Sequence, residues 1–136
     1  MKIKSCYIFL VALTAFPVDA KVPDLLGHLD LNEKFDSAEG AESDLYIRSI
    51  YGAKCTVTVS VYGENGRLFY KYLFKGKSIV YGTRYKYIYE KNINTKKYRS
   101  KLVEDSSLNG KYYHEMKDIF NMVSGMYTAK QIGICD

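Results

Sequence analysis

Side chains able to do acid–base, metal or redox chemistry are sparse in this chain. Its two histidines are His28, in an acidic stretch, and His114, in Tyr112-Tyr113-His114-Glu115. General acid–base catalysis needs two titratable groups facing one substrate atom. The segment around His114 reads as a strand, which sends His114 and Glu115 to opposite faces, so they form no acid–base pair. No nucleophile elbow, Walker loop, His-Glu-x-x-His or calcium loop occurs, and there is no Asn-x-Ser/Thr sequon. A zinc site needs about four ligands, whereas the cysteines and histidines are widely spaced. These residues predict no catalytic site, no metal and no cofactor.

The chain has three cysteines, Cys6, Cys55 and Cys135. Cys6 lies in a stretch with Lys2 and Lys4 ahead of an apolar run, Cys6 to Phe16, that ends in Val18-Asp19-Ala20. A short positive n-region, an apolar core of about 11 residues and small residues before the cut describe a secretory signal peptide. Such a core is too short for a membrane span, which takes about 20 apolar residues, and no later segment is long and apolar enough. Residues 1–20 are therefore expected to be removed, and the protein to be secreted. Cys55 and Cys135 then remain as a lone pair in an oxidising compartment, where a structural disulfide is the expected outcome. By the chain-entropy relation a loop of this length is worth roughly 4 to 5 kcal/mol.

The remaining chemistry lies in tyrosines and cations. Tyr81, Tyr85, Tyr87 and Tyr89 alternate with Arg84 and Lys86, and Lys91, Lys96, Lys97, Arg99 and Lys101 follow at once. Aromatic rings beside cations suit single-stranded nucleic acid, because rings stack on bases while Lys and Arg meet phosphates. Tyr85, Tyr87, Lys96, Lys97, Arg99 and Lys101 are the candidate RNA- or partner-binding residues. The same pattern also fits a core filled by tyrosines with an ordinary solvated surface, or a basic face that meets an acidic protein.

Elements that would position these groups come mostly from strand signals. Residues 21–45 carry seven acidic side chains against Lys21 and Lys34, while residues 46–136 carry sixteen cations against seven acids. The first stretch, with Ser37 to Ser43 free of large apolar residues, reads as an acidic, mostly flexible arm; a short helix could run from Pro23 to Leu31. Residues 46–136 read as one compact, disulfide-stapled domain of about 90 residues. Cys55 to Val61 alternates valines with hydroxyls as a half-buried strand does. Asn65-Gly66 and Asn109-Gly110 are turn signals. Ser78 to Glu90, Tyr98 to Glu104, Tyr112 to Asp118 and Met122 to Ala129 read as further strands. Arg67 to Lys75 fits either a hairpin strand or, by the spacing of Leu68 with Tyr72 and Phe69 with Leu73, a helix.

Several segments resemble the RNase-like effectors secreted by powdery mildew fungi. Tyr51-Gly52-Ala53-Lys54-Cys55 is similar to their Tyr-x-Cys start. Tyr98 to Val103 resembles the strand that carries Tyr-x-x-Phe-Pro-Ile in the related secreted fungal ribonucleases. His114 to Cys135, with the short turn Ile119-Phe120-Asn121, is similar to their closing strands. The resemblance implies an α+β, ribonuclease-like fold: a small antiparallel sheet with one helix near Glu64 to Lys75 and the first cysteine bonded to the last. It also implies lost catalysis, since no His stands around Tyr85-Lys86-Tyr87, no Glu precedes Glu104 on its strand, and Tyr127-Thr128 brings no His.

The expectation is thus a secreted, non-enzymatic, monomeric effector. By the resemblance it acts on host cells by binding host RNA or ribosomal components, or a host protein such as an immune receptor, and suppresses immunity. An all-β fold is the alternative architecture. A secreted or periplasmic inhibitor or immunity protein with a basic face is the alternative function, and an active nuclease built around His114 a third.

Overall fold

The computed structural model describes residues 24–36 and 38–136; the expected signal peptide, with Cys6, lies outside them. Six strands form one antiparallel sheet in simple sequence order: β1 Asp24–Asp30, β2 Gly40–Ile50, β3 Ala53–Tyr62, β4 Gly66–Lys75, β5 Ser78–Lys91 and β6 Tyr98–Ser107. A 3-10 turn, Asn32–Lys34, joins β1 to β2. Two helices close the chain, α1 Tyr113–Met126 and the short α2 Ala129–Gly133. The architecture is a six-stranded antiparallel sheet with one main helix and a Cys55–Cys135 disulfide.

Helix α1 covers one face of the sheet, and among the described residues no element packs on the other, where Thr56, Ser60, Leu73 and Thr83 are buried among their neighbours. Ala41 and Leu45 of β2, Cys55, Val57 and Val59 of β3, and Tyr70, Tyr72 and Phe74 of β4 point to the covered face. There they meet Met116, Phe120 and Val123, whose spacings of four and three place them on one side of α1, and Tyr127 just past its end. The ring of Phe120 lies 5.3 Å from Tyr72 and 5.2 Å from Phe74. Tyr72 donates its hydroxyl to the Met116 carbonyl at 2.7 Å. Tyr127 and Ser43 share a buried hydroxyl hydrogen bond of 2.8 Å, and burial pushes the Tyr127 hydroxyl up to about 12. Two glycines permit the close approach. A Cβ on Gly82 would touch Met116 and Tyr72, and one on Gly27 would collide with Gln131 and Tyr127.

Several expectations are corrected. Residues 24–30 and 40–45 are not a flexible arm and contain no helix: they form β1 and the start of β2, paired from Asp24↔Ile47 to Asp30↔Glu42. Asp30, Glu42 and Asp44 share one face while Ala41, Ser43 and Leu45 alternate inward, a period-two pattern that acidic composition conceals. The compact domain therefore begins at least as early as Asp24 rather than at residue 46. The helix implied near Glu64 to Lys75 is strand β4, because pairing with both β3 and β5 satisfies its backbone along most of its length. The strands expected at Tyr112 to Asp118 and Met122 to Ala129 are largely helix α1, so the all-β alternative falls. His114 and Glu115 are consequently successive helical residues, not opposed strand residues.

Turns follow local chemistry. Tyr51 and Gly52, with φ of 52° and 82°, make the two-residue hairpin between β2 and β3, so the segment matched to a Tyr-x-Cys start is a turn leading into β3. Asn65-Gly66 ends the β3–β4 loop, and Asn109-Gly110 lies between β6 and α1.

Candidate functional site

Alternation along β4 and β5 sets the uncovered face. With Tyr70, Tyr72, Gly82 and Arg84 turned to the helix, Arg67, Phe69 and Lys71 of β4 and Tyr81, Thr83, Tyr85, Tyr87 and Tyr89 of β5 face away from it. Phe69 stands opposite Tyr85 in register, with ring centroids 6.1 Å apart and planes inclined by 31°. Tyr85 and Tyr87 follow at 6.4 Å. The Arg67 guanidinium lies 4.7 Å from the centre of the Tyr87 ring and 5.8 Å from that of Phe69. Its Nε is buried and finds no hydrogen-bond partner among the described residues. Three half-buried rings and a cation therefore form a continuous row on an open sheet face.

Across β3 the same face turns acidic. Thr56, Thr58 and Ser60 make a hydroxyl-bearing strip between Phe69, Lys71 and Leu73 on one side and Glu42, Asp44 and Tyr46 on the other. His28 Nδ1 lies 2.7 Å from Asp44 Oδ1, and His28 Nε2 lies 4.0 Å from Glu42 Oε2. Tyr62 donates its hydroxyl to Glu42 at 3.0 Å. The Asp44 hydrogen bond, opposed by burial and supported by the charges of Asp44, Glu42 and Asp30, holds His28 above its ordinary value.

The covered face carries a second charged group. Arg84, only 6% exposed, has its Nε 2.9 Å from Glu115 Oε2 and a terminal nitrogen 3.4 Å from Glu104 Oε1, with the Tyr112 ring 3.7 Å away. The Glu115 contact is ionic without hydrogen-bond alignment, since the Nε–H meets no acceptor along its axis. Burial pulls the Arg84 pKa down, but the Tyr70 hydroxyl and the Glu115 charge outweigh it and raise the net value. Beyond the helix, Arg84, Lys86, Val61, Leu68 and Ile88 line a cleft of about 520 Å³.

The six expected binding residues do not form one site. Tyr85 and Tyr87 lie on the open face. Arg99 pairs with Glu90 and Lys101 with Ile88, so both side chains take the opposite face. There they form ion pairs with Glu90, at 3.5 Å for Arg99 and 3.3 Å for Lys101. Lys96 and Lys97 sit in the β5–β6 loop, away from both faces. Phe69 and Arg67 were not among the expected residues. Laying Arg67 to Lys75 against Ser78 to Glu90 as a hairpin would have found them, because Phe69 alternates in step with Tyr85. The His28–Asp44 and Arg84–Glu115 pairs were hidden by the arm and strand assignments. His114 is exposed beside the Tyr113 ring, while Glu115 turns to Arg84. Among the described residues no group of three His, Cys, Asp or Glu side chains is placed to hold a metal ion.

No family model matches this chain, and no curated protein or solved structure does.

Proposed function

We propose that the chain is a secreted, non-catalytic effector that holds single-stranded RNA on the aromatic half of its open sheet face. One observation carries this: the row Phe69, Tyr85 and Tyr87, with Arg67 packed against two of its rings, on a face that no other described element covers. Sheet faces of this composition suit unpaired bases, which stack on the rings at about 1 to 3 kcal/mol each while cations meet the phosphates. Arg67 and Lys71 are the cations within that face, and the loop cations Lys96 and Lys97 add long-range attraction. Secretion rests on the N-terminal leader, and action on host RNA rests on the resemblance to powdery mildew effectors. The helix that a ribonuclease-like scaffold would place at 64–75 is absent there, so the face itself bears the weight of the argument.

The test is fluorescence anisotropy of a short labelled single-stranded RNA with the oxidised chain 21–136, at low and at physiological salt. Tyr85→Ala with Tyr87→Ala should weaken binding at least about tenfold while leaving the urea midpoint near that of the unmodified protein. Replacing Lys96 and Lys97 by Glu should reduce mainly the salt-sensitive part. Binding unaffected by the tyrosine changes would refute the assignment of this face. Absence of binding at either salt would favour an acidic protein partner, and cleavage of the RNA would overturn the non-catalytic reading.

A further inference from the structure

The β5–β6 hairpin outruns the rest of the sheet. Pairing of β4 with β5 ends at Gly66↔Ile88, whereas β5 and β6 remain paired to Lys91↔Tyr98. Residues beyond Tyr89 therefore stand out as a two-stranded ribbon. Its loop is internally braced: Asn92 accepts from the Asn94 and Thr95 amides at 2.9 and 3.2 Å, and its own amide donates to the Lys97 carbonyl at 2.8 Å. Lys96 adopts a φ of 57° to complete the turn. At the tip this frame holds Ile93 with 90% of its surface exposed, and Tyr98, paired with Lys91 at the base of the loop, is 69% exposed.

Cations surround these two residues. Lys91, Lys96, Lys97, Arg99 and Lys101 cluster here against the single carboxylate of Glu90. Glu90 engages Arg99 and Lys101, whereas Lys91, Lys96 and Lys97 form no ion pair among the described residues. An aliphatic side chain offers no π-face to a stacked base, so the RNA-binding face does not account for Ile93. Water disfavours it too, and the braced loop holds it outward.

We propose that this hairpin tip docks on the surface of an anionic phospholipid bilayer. Lys91, Lys96 and Lys97 meet the headgroups, Ile93 enters the boundary of the acyl region, and the Tyr98 ring lies at the interface. The charge complementarity is that of juxtamembrane basic clusters, whose attraction falls off within a Debye length. The apolar contribution is that of a single inserted side chain, and a tyrosine is a favoured interfacial residue. The contact is peripheral, and the sheet face that carries Phe69, Tyr85 and Tyr87 takes no part in it.

Co-sedimentation of the oxidised chain 21–136 with vesicles tests this, comparing pure phosphatidylcholine with the same lipid containing roughly a third phosphatidylserine. Binding is expected to the anionic vesicles only, and to fall as salt rises. Ile93→Ser should weaken it about tenfold, and Lys96→Glu with Lys97→Glu should abolish it, both with unchanged circular dichroism. Tyr85→Ala with Tyr87→Ala should leave vesicle binding intact, which separates this inference from the RNA reading. No sedimentation with anionic vesicles, or equal sedimentation of the Ile93→Ser protein, would overturn the proposal. So would an Ile93→Ser protein that loses RNA retention but not vesicle binding.

Discussion

His28 and Asp44 pair across β1 and β2 at 2.7 Å, on an exposed face where Glu42 and Asp30 add negative charge. The imidazolium is therefore favoured more in the folded chain than in the unfolded one, whose histidine titrates near 6.5. The sign follows by linkage. The extra stability is present in full below the unfolded value, as long as the carboxylates stay ionised, and is lost as pH rises through the elevated folded value. The urea midpoint of the natural protein should exceed that of His28→Asn at pH 6, and the gap should narrow towards pH 8. A gap that widens with pH would refute the pairing. The half-exposed setting of His28 keeps the effect small. Neither this pair nor Arg84 with Glu115 was legible in the sequence. Sixteen residues separate the first pair and thirty-one the second, and no local pattern encodes contacts at such distances.

At the level of elements, helix α1 is fastened by one stripe. Phe120 is nearly fully buried between Tyr72 and Phe74, with Met116 and Val123 a turn to either side. Phe120→Ala should cost about 4 kcal/mol, because the flanking rings of a rigid sheet cannot close the void; urea unfolding monitored by circular dichroism would show it. A change below about 1 kcal/mol would mean that the helix is not docked by this ring. The stripe Met116, Phe120, Val123, Tyr127 was present in the sequence, but tyrosine-rich flanks and the Asn109-Gly110 turn pointed to strands. Strands β3, β5 and β6 were legible because their alternation is local. β4 stayed ambiguous since ten residues of aromatic sequence fit either period. The sheet resolves it, as a strand between two neighbours satisfies its backbone on both sides.

Across the whole molecule the Cys55–Cys135 disulfide joins a central strand to the second residue past α2, eighty positions away. Replacing both cysteines by Ala should lower stability by roughly 4 to 5 kcal/mol, and hydrogen exchange should accelerate first in α1 and α2. An unchanged urea midpoint would contradict this. The sheet also divides charge between its ends. Glu42, Asp44 and His28 lie at the β1–β2 side, Arg67 and Lys71 on β4, and the braced cationic ribbon beyond Ile88. The sequence by itself determined the pairing of Cys55 with Cys135, the excess of cations after residue 45 and the period-two runs of β3 and β5, because each is written in composition or in neighbouring residues. Only the tertiary structure decided which rings and cations share a surface. Register and bulges, such as the one between Lys86 and Tyr87, assign each side chain to a face. They arise from pairing between distant segments, and they set Tyr85 and Tyr87 apart from the cations that adjoin them in the chain.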